Sequence, residues 1–526
     1  AAALADLCGV EPRSVADAAI QEQLLAGSAA KHPERGFPLF AFRLHQFISR
    51  GDTVYGSIEP PSTRSLYLKA QKTVPGDADK VLVPLAFCRA CGQEYYTVLR
   101  DEGDGWNDPR FLPRPVDLRA GDDGEKAGFL YLAPDTADLV GDAWPTDPDL
   151  VLDRVPEEWL DPDSETPRLK RDRRDQLPKE VFVDTDGTIG SGQRAWWIPA
   201  PFRFCLACGV AYGGRVRSDL TKLVTLGSGG RSSALTELSL SAIRWLRTTS
   251  DLKDVAKKLL AFTDNRQDAS LQAGHFNDFV LVTLLRAGLT RALEQAGASG
   301  IRHDQLANAV FDALALPLDT YALNPEVQYL ALDETQRTLR EVLGYLLYQD
   351  LERGWRVTQP NLEQCGLLRF DYASLGDLCS DEAPWANAHP ALAGASGETR
   401  AAISRVLLDY LRREVVIDVD YLDGIFQEQM IRRSDQHLRG RWAIDEDQRE
   451  LRKSGDLLVR PRKPSDYRGF THLSPRGAVG QFLRRSSTFP DYGEKLTVAE
   501  SAEVLAQVVA SLERAGILRR MPGDGA

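Results

Sequence analysis

Two cysteine pairs with the same spacing are the residues of this sequence best placed to do chemistry. Cys88 and Cys91 lie in the stretch CRACGQEYY, and Cys205 and Cys208 lie in the similar stretch CLACGVAYG. A C-x-x-C turn presents two thiolates to one ion, and four thiolates at about 2.3 Å satisfy tetrahedral Zn²⁺ without leaving an open position. The sequence therefore predicts one structural zinc site formed by these four cysteines.

The separation of the two pairs is unusual for a zinc ribbon. An uninterrupted ribbon separates its pairs by roughly 15 to 20 residues, whereas 113 residues lie between Cys91 and Cys205. We therefore predict a zinc-ribbon-like β module, residues 81–230, with a long acidic insert at 101–190 that leaves the ribbon and returns. The alternative is two unrelated reduced pairs or thioredoxin-like redox centres. The strand-like sequence after each pair favours a metal site over a redox centre, because a redox C-x-x-C is usually found at the start of a helix.

The net charge of −12 is unevenly distributed along the chain. Residues 101–190 hold 24 Asp and Glu against 11 Lys and Arg, a charge of −13, and their Pro-, Gly- and Asp-rich text predicts loop-dominated structure or partial disorder. Residues 431–490 hold 14 Lys and Arg against 7 Asp and Glu, a charge of +7. The acidic insert is a candidate docking surface for a partner protein. The basic tract is either a DNA contact or a solvated surface.

Strands and helices are predicted around the cysteines. The stretches DTVYGSIEP, SLYLKA, KVLVPLAF and AWWIPAPFRF have the composition of strands, and the last two lead into the cysteine pairs. Helices are predicted over roughly residues 15–26 and over 231–247, the latter with Ser233 as its N-cap. KKLLAF, residues 257–262, predicts a short buried strand that passes through a polar loop into a long helix.

The second half of the chain has a helical pattern. Residues 300 to about 415 are predicted to be almost wholly helical. The stretch LTVAESAEVLAQVVASLERAGILRRM predicts helix, turn, helix and short strand, with Gly516 as a C-cap. The predicted fold class is α+β multidomain: a zinc-ribbon-like β module, a partial RecA-like α/β element, and a mostly helical region ending in a winged-helix-like element.

Length and composition bound the class of protein. A chain of 526 residues exceeds a single core, which stops growing near roughly 250 to 300 residues, so several domains are expected. No uncharged apolar run approaches the roughly 20 residues of a membrane span, so no membrane contact is expected. Four of the seven cysteines are paired as C-x-x-C instead of forming an even disulfide framework, which indicates a cytoplasmic location. The absence of a Gly-Lys dipeptide excludes a GxxxxGK[ST] phosphate loop in this chain.

The stretch KLLAFTDNRQDASLQAGHFNDF, residues 258–279, resembles the start of the second RecA-like domain in large bacterial superfamily-2 DEAD/DEAH-box helicases. Residues 40–57, 84–96 and 359–372 are also similar to stretches of these proteins, which include helicases related to the Lhr and MrfA types and anti-phage defence helicases of the Druantia and DISARM kind. The phosphate loop, the Asp-Glu box and the final arginine motif of that family are missing. The resemblance therefore implies an internal fragment that lacks the first RecA-like domain, with ATP and Mg²⁺ bound only in the intact parent protein.

The resemblance also implies nucleic-acid contacts. In this family the turn after that first strand faces the nucleic-acid backbone, and the matching residues here are Thr263, Asn265, Arg266 and Gln267. Arg266 is the strongest candidate because its guanidinium can bind a phosphate through two hydrogen bonds. A local ion pair of Arg266 with Asp264 or Asp268 is the alternative. The candidates in the basic tract are Arg460, Arg462 and Lys463.

Two functions remain open from the sequence. The first is an accessory and partial second-lobe region of an ATP-dependent DNA helicase or translocase, which guides nucleic acid, carries a structural zinc and has a role in anti-phage defence. The second is a non-catalytic zinc-bearing adaptor whose acidic insert docks a partner protein. The helicase interpretation divides the chain into a linker and β segment (1–80), the four-cysteine module (81–230), a helix with the first strand and helix of the second lobe (231–299), a helical insertion (300–415), and a basic tract with a winged-helix-like domain (416–526).

Overall fold

The computed structural model describes most of the chain. The described residues are 13–33, 36, 53–103, 108–114, 126–132, 144–161, 164, 166–212, 219, 222–226, 231–250, 252–260, 266–351, 361–363, 365–444, 451–461 and 470–521. They fall into two units, Ala1–Arg50 and Gly51–Ala526. The first unit contains helix α1, Arg13–Ala29, which confirms the helix predicted near its position. All elements described below belong to the second unit.

Strands come first in the second unit, and helices dominate the rest. The strands are β1 Tyr55–Ser57, β2 Leu66–Tyr67, β3 Thr73–Val74, β4 Asp77–Cys88, β5 Glu94–Asp101, β6 Arg110–Pro113, β7 Ala127–Leu132, β8 Lys179–Val183, β9 Gln193–Pro199, β10 Leu223–Val224, β11 Asp456–Leu458 and β12 Phe470–His472. The helices are α2 Pro148–Arg154, α3 Arg231–Thr248, α4 Arg266–Ala296, α5 Leu306–Leu314, α6 Leu318–Tyr321, α7 Leu330–Gln349, α8 Leu375–Ser380, α9 Pro390–Ala393, α10 Gly397–Arg413, α11 Gly424–His437, α12 Ala478–Leu483 and α13 Val498–Arg514.

Strands β1 to β10 form one antiparallel sheet in the described part of the chain. Its main order is β2-β1-β4-β5-β7-β9-β8, while β3 and β10 also pair with β4 and β6 pairs with β5. Strand β4 is 12 residues long, and its successive segments pair with β3, β1, β5 and β10. The four strands predicted from DTVYGSIEP, SLYLKA, KVLVPLAF and AWWIPAPFRF are confirmed as β1, β2, β4 and β9.

The sheet has two apolar faces, because successive side chains of a strand point to opposite sides. On one face a row of directly paired residues crosses four strands: Leu85, Tyr96, Leu130 and Trp197. The opposite face carries Tyr95, Phe129 and Trp196, whose core extends to all four cysteines of the two C-x-x-C pairs. One face of the sheet therefore positions the candidate metal ligands.

The prediction of loop-dominated structure or partial disorder for residues 101–190 missed the regular elements that the described residues of that segment add to the sheet. Strand β7 comes from it and lies between β5 and β9 in the interior of the sheet, where Leu130 is fully buried. Strands β6 and β8 and helix α2 come from the same segment. The segment is acidic when its composition is averaged, but it contains the short apolar run AGFLYL. Burial of this run stabilises a central strand.

Helices α4 to α13 enclose two further apolar cores. The first core joins α4, α5, α7 and α11 around Leu339, Val342 and Leu343. The second joins α8, α9, α10, α12 and α13, with Leu407 and Val504 at its centre. The described part of residues 300–415 contains helices α5 to α10 and no strand, which confirms its helical character, although loops occupy more of it than was predicted. None of the described helices is long and apolar enough to span a lipid bilayer.

The buried strand predicted at 257–262 does not form in its described residues, 257–260. Leu259 is 42% exposed and Leu260 is 77% exposed. The expected strand belongs to a parallel sheet, in which strands are stable only when neighbours and helices cover them, and no described strand pairs with this segment. Of the predicted RecA-like element, the long helix is present as α4.

The C-terminal stretch forms one helix, α13, where helix, turn and helix were predicted. Thr497 and Glu500 close a capping box at its start, and the run to Arg514 contains no glycine or proline that would break it. Gly516 follows with φ +72°, as predicted for a C-cap glycine, but residues 517–521 form no strand. The winged-helix-like element is therefore not confirmed. Ser233 is also not an N-cap, because α3 begins at Arg231.

Candidate metal centre

The first cysteine knuckle, residues 88–93, is the turn that joins β4 to β5. The amide of Cys88 donates to the carbonyl of Gln93 (2.8 Å), and the amide of Gly92 donates to the carbonyl of Cys88 (2.8 Å). Gly92 has φ +77°, a conformation that glycine adopts without a steric cost. The turn therefore needs a glycine directly after its second cysteine.

The second cysteine knuckle, residues 205–210, repeats this hydrogen-bond pattern. The amide of Cys205 donates to the carbonyl of Val210 (3.0 Å), and the amide of Gly209 donates to the carbonyl of Cys205 (2.9 Å). Gly209 has φ +72°. The repeated phrase in the sequence thus encodes the same backbone turn twice.

The two knuckles bring their four sulfur atoms together. The Sγ atoms of Cys88, Cys91, Cys205 and Cys208 all lie within 4.8 Å of one another. Across the knuckles, Cys88 Sγ lies 3.9 Å from Cys208 Sγ and Cys91 Sγ lies 3.7 Å from Cys205 Sγ. Ligands at about 2.3 Å from a tetrahedral ion are about 3.8 Å apart, so the spacing fits a four-sulfur metal site. The predicted cluster of four cysteines is confirmed.

The electrostatics of the cluster also favour a cation. Hydrogen bonding from the neighbouring cysteines, Cys205 foremost, lowers the pKa of Cys88, and the amide of Ala90 donates to its sulfur at 3.3 Å. Burial raises the pKa of Cys205 well above its ordinary value. Four thiolates in a buried space repel one another, and a bound divalent ion removes this conflict because it stabilises the charged form of each sulfur.

Tyr95 on β5 contacts one of the candidate ligands, and the sequence analysis did not identify this residue. Its hydroxyl lies 3.2 Å from Cys205 Sγ and accepts a hydrogen bond from the amide of Leu206 (2.9 Å). Since the amide occupies the oxygen as an acceptor, the hydroxyl proton is free to point at the sulfur. Burial raises the pKa of Tyr95 well above its ordinary value, so the group remains a donor. The signal available in the sequence was the tyrosine four residues after Cys91.

Aromatic side chains share the apolar core that contains the cysteines. Trp144 and Trp159 pack on Phe204, with ring centroids 5.5 Å and 5.1 Å away. Cys88, Cys205 and Cys208 are buried, while Cys91 is half-buried at one side of the cluster. A closed four-sulfur site of this kind can hold an ion but offers no open position for a substrate.

The structure describes only some of the residues that were predicted to contact nucleic acid. Thr263, Asn265, Arg462 and Lys463 lie outside the described residues. Arg266 and Gln267 begin helix α4, and the description covers their backbone but not their side chains. The Arg460 guanidinium donates to the carbonyl of Pro461 (3.0 Å). Nucleic-acid contact therefore stays a prediction for all seven residues.

Comparison with known proteins adds no family to this description. Neither the protein-family models, nor the curated proteins, nor the solved structures contain a match to the chain. The geometry of the sulfur cluster is therefore the main indication of function.

Proposed function

We propose that Cys88, Cys91, Cys205 and Cys208 hold one structural Zn²⁺ ion. The observation that carries this proposal is the convergence of four cysteine sulfurs within 4.8 Å. Zinc is the ion best suited to four thiolates in tetrahedral geometry, and an all-sulfur site is closed to substrates. The ion would connect the end of β4 with the residues that come after β9. These two parts of the chain are more than a hundred residues apart in the sequence.

Metal analysis tests the zinc assignment directly. The purified chain should contain about one zinc, and Cys205→Ser should lose it and unfold the four-cysteine module, because the binding energy of such a site is folding energy. Cys365→Ser is the control, since Cys365 is exposed and lies outside the cluster. Full zinc content in the Cys205→Ser protein would show that the ligands are wrong.

We further propose that the chain is an accessory and partial second-lobe region of an ATP-dependent superfamily-2 DNA helicase or translocase, where it guides nucleic acid. The resemblance of residues 258–279 supports this proposal, and the 31-residue helix α4 begins within that stretch, at Arg266. Exposed apolar side chains in the residues before α4 also support the proposal, because such side chains need a protein neighbour to cover them. These are Leu238, Trp245, Val255, Leu259 and Leu260.

A salt titration of DNA binding tests the role in strand guidance. Filter binding of single-stranded DNA should weaken steeply as salt rises, because released counterions drive the association. Arg266→Ala should weaken binding and reduce the slope of log K against log salt by about 1 if Arg266 contacts one phosphate. The control is Arg302→Ala, which removes an exposed arginine paired with its neighbour Asp304. An equal loss of DNA affinity in both variants would show that Arg266 does not contact the DNA.

The alternative function is a zinc-bearing adaptor that docks a partner protein through residues 101–190. Its support is the charge of −13 in that segment. Strand β7 of the segment is nevertheless an inner strand of the sheet, so docking would involve the rest of it. A chain that retains zinc but fails to bind DNA at low salt would favour the adaptor.

A further inference from the structure

A short arginine-rich segment near the C-terminus, residues 476–485, contacts the end of helix α2. The last carbonyls of a helix have no partner within it and carry partial negative charge, which suits guanidinium and amide donors. The pairs are Arg476 with the carbonyl of Leu152, Arg484 with that of Asp153 (2.8 Å) and Gln481 with that of Arg154 (3.1 Å). Helix α12 is thereby placed against the four-cysteine module.

The same segment also touches the second cysteine knuckle itself. Arg485 donates to the carbonyl of Ala207 (3.2 Å), which lies between the two cysteines of the knuckle. Gly209 packs directly against Gln481, so closely that a Cβ at position 209 would overlap the Gln481 side chain. The C-terminal region therefore depends on the shape of a turn that the metal ligands define.

The attachment is polar, unlike the interior of either region. Val479 and Leu483 of α12 belong to the apolar core of the helical region, whereas the four cysteines border a separate core on the sheet. Among the described residues, these two cores share no side chain. Polar contacts between regions of a chain permit relative motion, since separating them exposes little apolar surface.

We propose that the second cysteine knuckle is a metal-dependent docking platform for the C-terminal region, residues 470–521. With the ligands held together, the knuckle presents the Ala207 carbonyl and the surface of Gly209 to Arg485 and Gln481. Without the metal the knuckle loses this shape and the C-terminal region detaches from the four-cysteine module. This inference rests on the metal centre and goes beyond its local structural role. It does not depend on the helicase proposal.

Two glycine variants provide a matched test. Gly92→Ala and Gly209→Ala both place a side chain at positive φ, +77° and +72°, so their local backbone strain is similar. A Cβ at position 92 meets no atom within 4 Å. A Cβ at position 209 displaces Gln481, whose amide is buried and held by the carbonyls of Arg154 and Arg476. The two variants thus differ chiefly in docking.

Limited proteolysis of the full chain, with zinc content measured in parallel, reads out the attachment. We expect cleavage within residues 484–497, the segment between α12 and α13, to be about tenfold faster in Gly209→Ala than in Gly92→Ala, since cleavage follows the population of the open form. Arg485→Met should raise the same cleavage without altering the knuckle backbone, which keeps the test valid if Gly209→Ala fails to fold. Equal rates in the glycine variants, or in Arg485→Met and the unaltered chain, would overturn the proposal.

Removal of the metal tests whether the attachment of the C-terminal region depends on the metal. Chelation of zinc from the unaltered chain should raise cleavage within residues 484–497 by a similar factor, while sites within helices α7, α10 and α13 stay protected. Unchanged C-terminal cleavage after verified zinc loss would overturn the coupling. Faster cleavage throughout α7 and α10 would also contradict it, because it would indicate general unfolding instead of detachment.

Discussion

In both cysteine knuckles the amide of the first cysteine donates to the carbonyl five residues ahead, and a glycine with positive φ follows the second cysteine. The surroundings of these equal turns differ. Around the first knuckle Cys91 is half-buried and the space above Gly92 is open, whereas around the second knuckle Cys208 is buried and Gly209 is in contact with Gln481. The same local sequence therefore serves two different environments.

The difference lies in which parts of the chain support each turn. The first knuckle is held mainly by backbone pairing: Cys88 is the last residue of β4 and pairs with Leu223 of β10, and the amide of Arg89 donates to the carbonyl of Lys222 (3.1 Å). Side chains from distant segments hold the second knuckle. They are Tyr95 at Leu206, Arg154 at the Leu206 carbonyl (2.6 Å) and Arg485 at the Ala207 carbonyl (3.2 Å). A short repeat can encode a turn and its ligands, but its stability depends on the rest of the fold.

The largest expected effect comes from replacing one ligand in each knuckle. Cys91→Ser and Cys205→Ser should both lose zinc, which removes metal-binding energy of about 10 kcal/mol from the folded module. Cys205 is 1% exposed and Cys91 is half-buried, so a hydroxyl at position 205 should cost a further ~1–3 kcal/mol of desolvation. Because loss of the metal unfolds the module, the zinc concentration needed to restore its fold measures the difference, and it should be higher for Cys205→Ser. Equal concentrations would show that the two knuckles have equivalent environments.

The cysteine cluster was predictable because its determinants are local and repeated. Each C-x-x-C turn and its glycine need only six residues, and four cysteine thiolates are the ligand set of a tetrahedral structural ion. The strands that lead into the knuckles were recognisable from KVLVPLAF and AWWIPAPF for the same reason. Tyr95 was not recognised as a contact of Cys205, because only the folded sheet places it beside the second knuckle.

Two errors in the sequence analysis have a common physical cause. AGFLYL in the acidic insert became an inner strand, and KKLLAF, which ends in four apolar residues, formed no strand in its described residues. A strand is stabilised by neighbours that accept its hydrogen bonds and cover its side chains. Strands β5 and β9 supply them for β7, whereas no described strand lies beside residues 257–260. Composition alone does not contain this information.

A smaller effect is expected at Lys222, which links the first knuckle to the residues that flank the second. Its side chain is fully buried and donates to the carbonyl of Phe202 (2.7 Å) and to Asp219 (3.2 Å), while its own carbonyl supports Arg89 of the first knuckle. Burial lowers the pKa of Lys222, but Asp219 favours its charged form. Lys222→Met leaves Asp219 without this partner and should cost about 3 kcal/mol of unfolding free energy.

The control for Lys222→Met is Lys257→Met, which removes a lysine whose partner Asp254 is 96% exposed. That change should cost less than about 1 kcal/mol. Both proteins should retain about one zinc, because neither lysine is a ligand. Loss of zinc from Lys222→Met alone would mean that this lysine is needed to assemble the site, so that the two knuckles are not independent turns joined only by the ion.

The smallest effect is expected at Tyr95, whose hydroxyl lies beside Cys205 and Leu206 of the second knuckle. Tyr95→Phe removes the donor to Cys205 Sγ and leaves the buried amide of Leu206 without its acceptor, for a cost of about 1–2 kcal/mol. Loss of such an outer hydrogen bond should also weaken zinc binding by about tenfold. Competition with a chromogenic chelator measures the affinity.

Tyr96→Phe is the matched control, since Tyr96 lies on the other face of the sheet and donates to the carbonyl of Ser57 (2.9 Å). It loses a buried hydrogen bond of similar strength away from the sulfurs, so its stability should fall while its zinc affinity stays unchanged. Equal zinc affinities in the two variants would mean that the hydroxyl of Tyr95 acts on packing alone. The side chains around the second knuckle would then hold the turn in place without tuning its ligands.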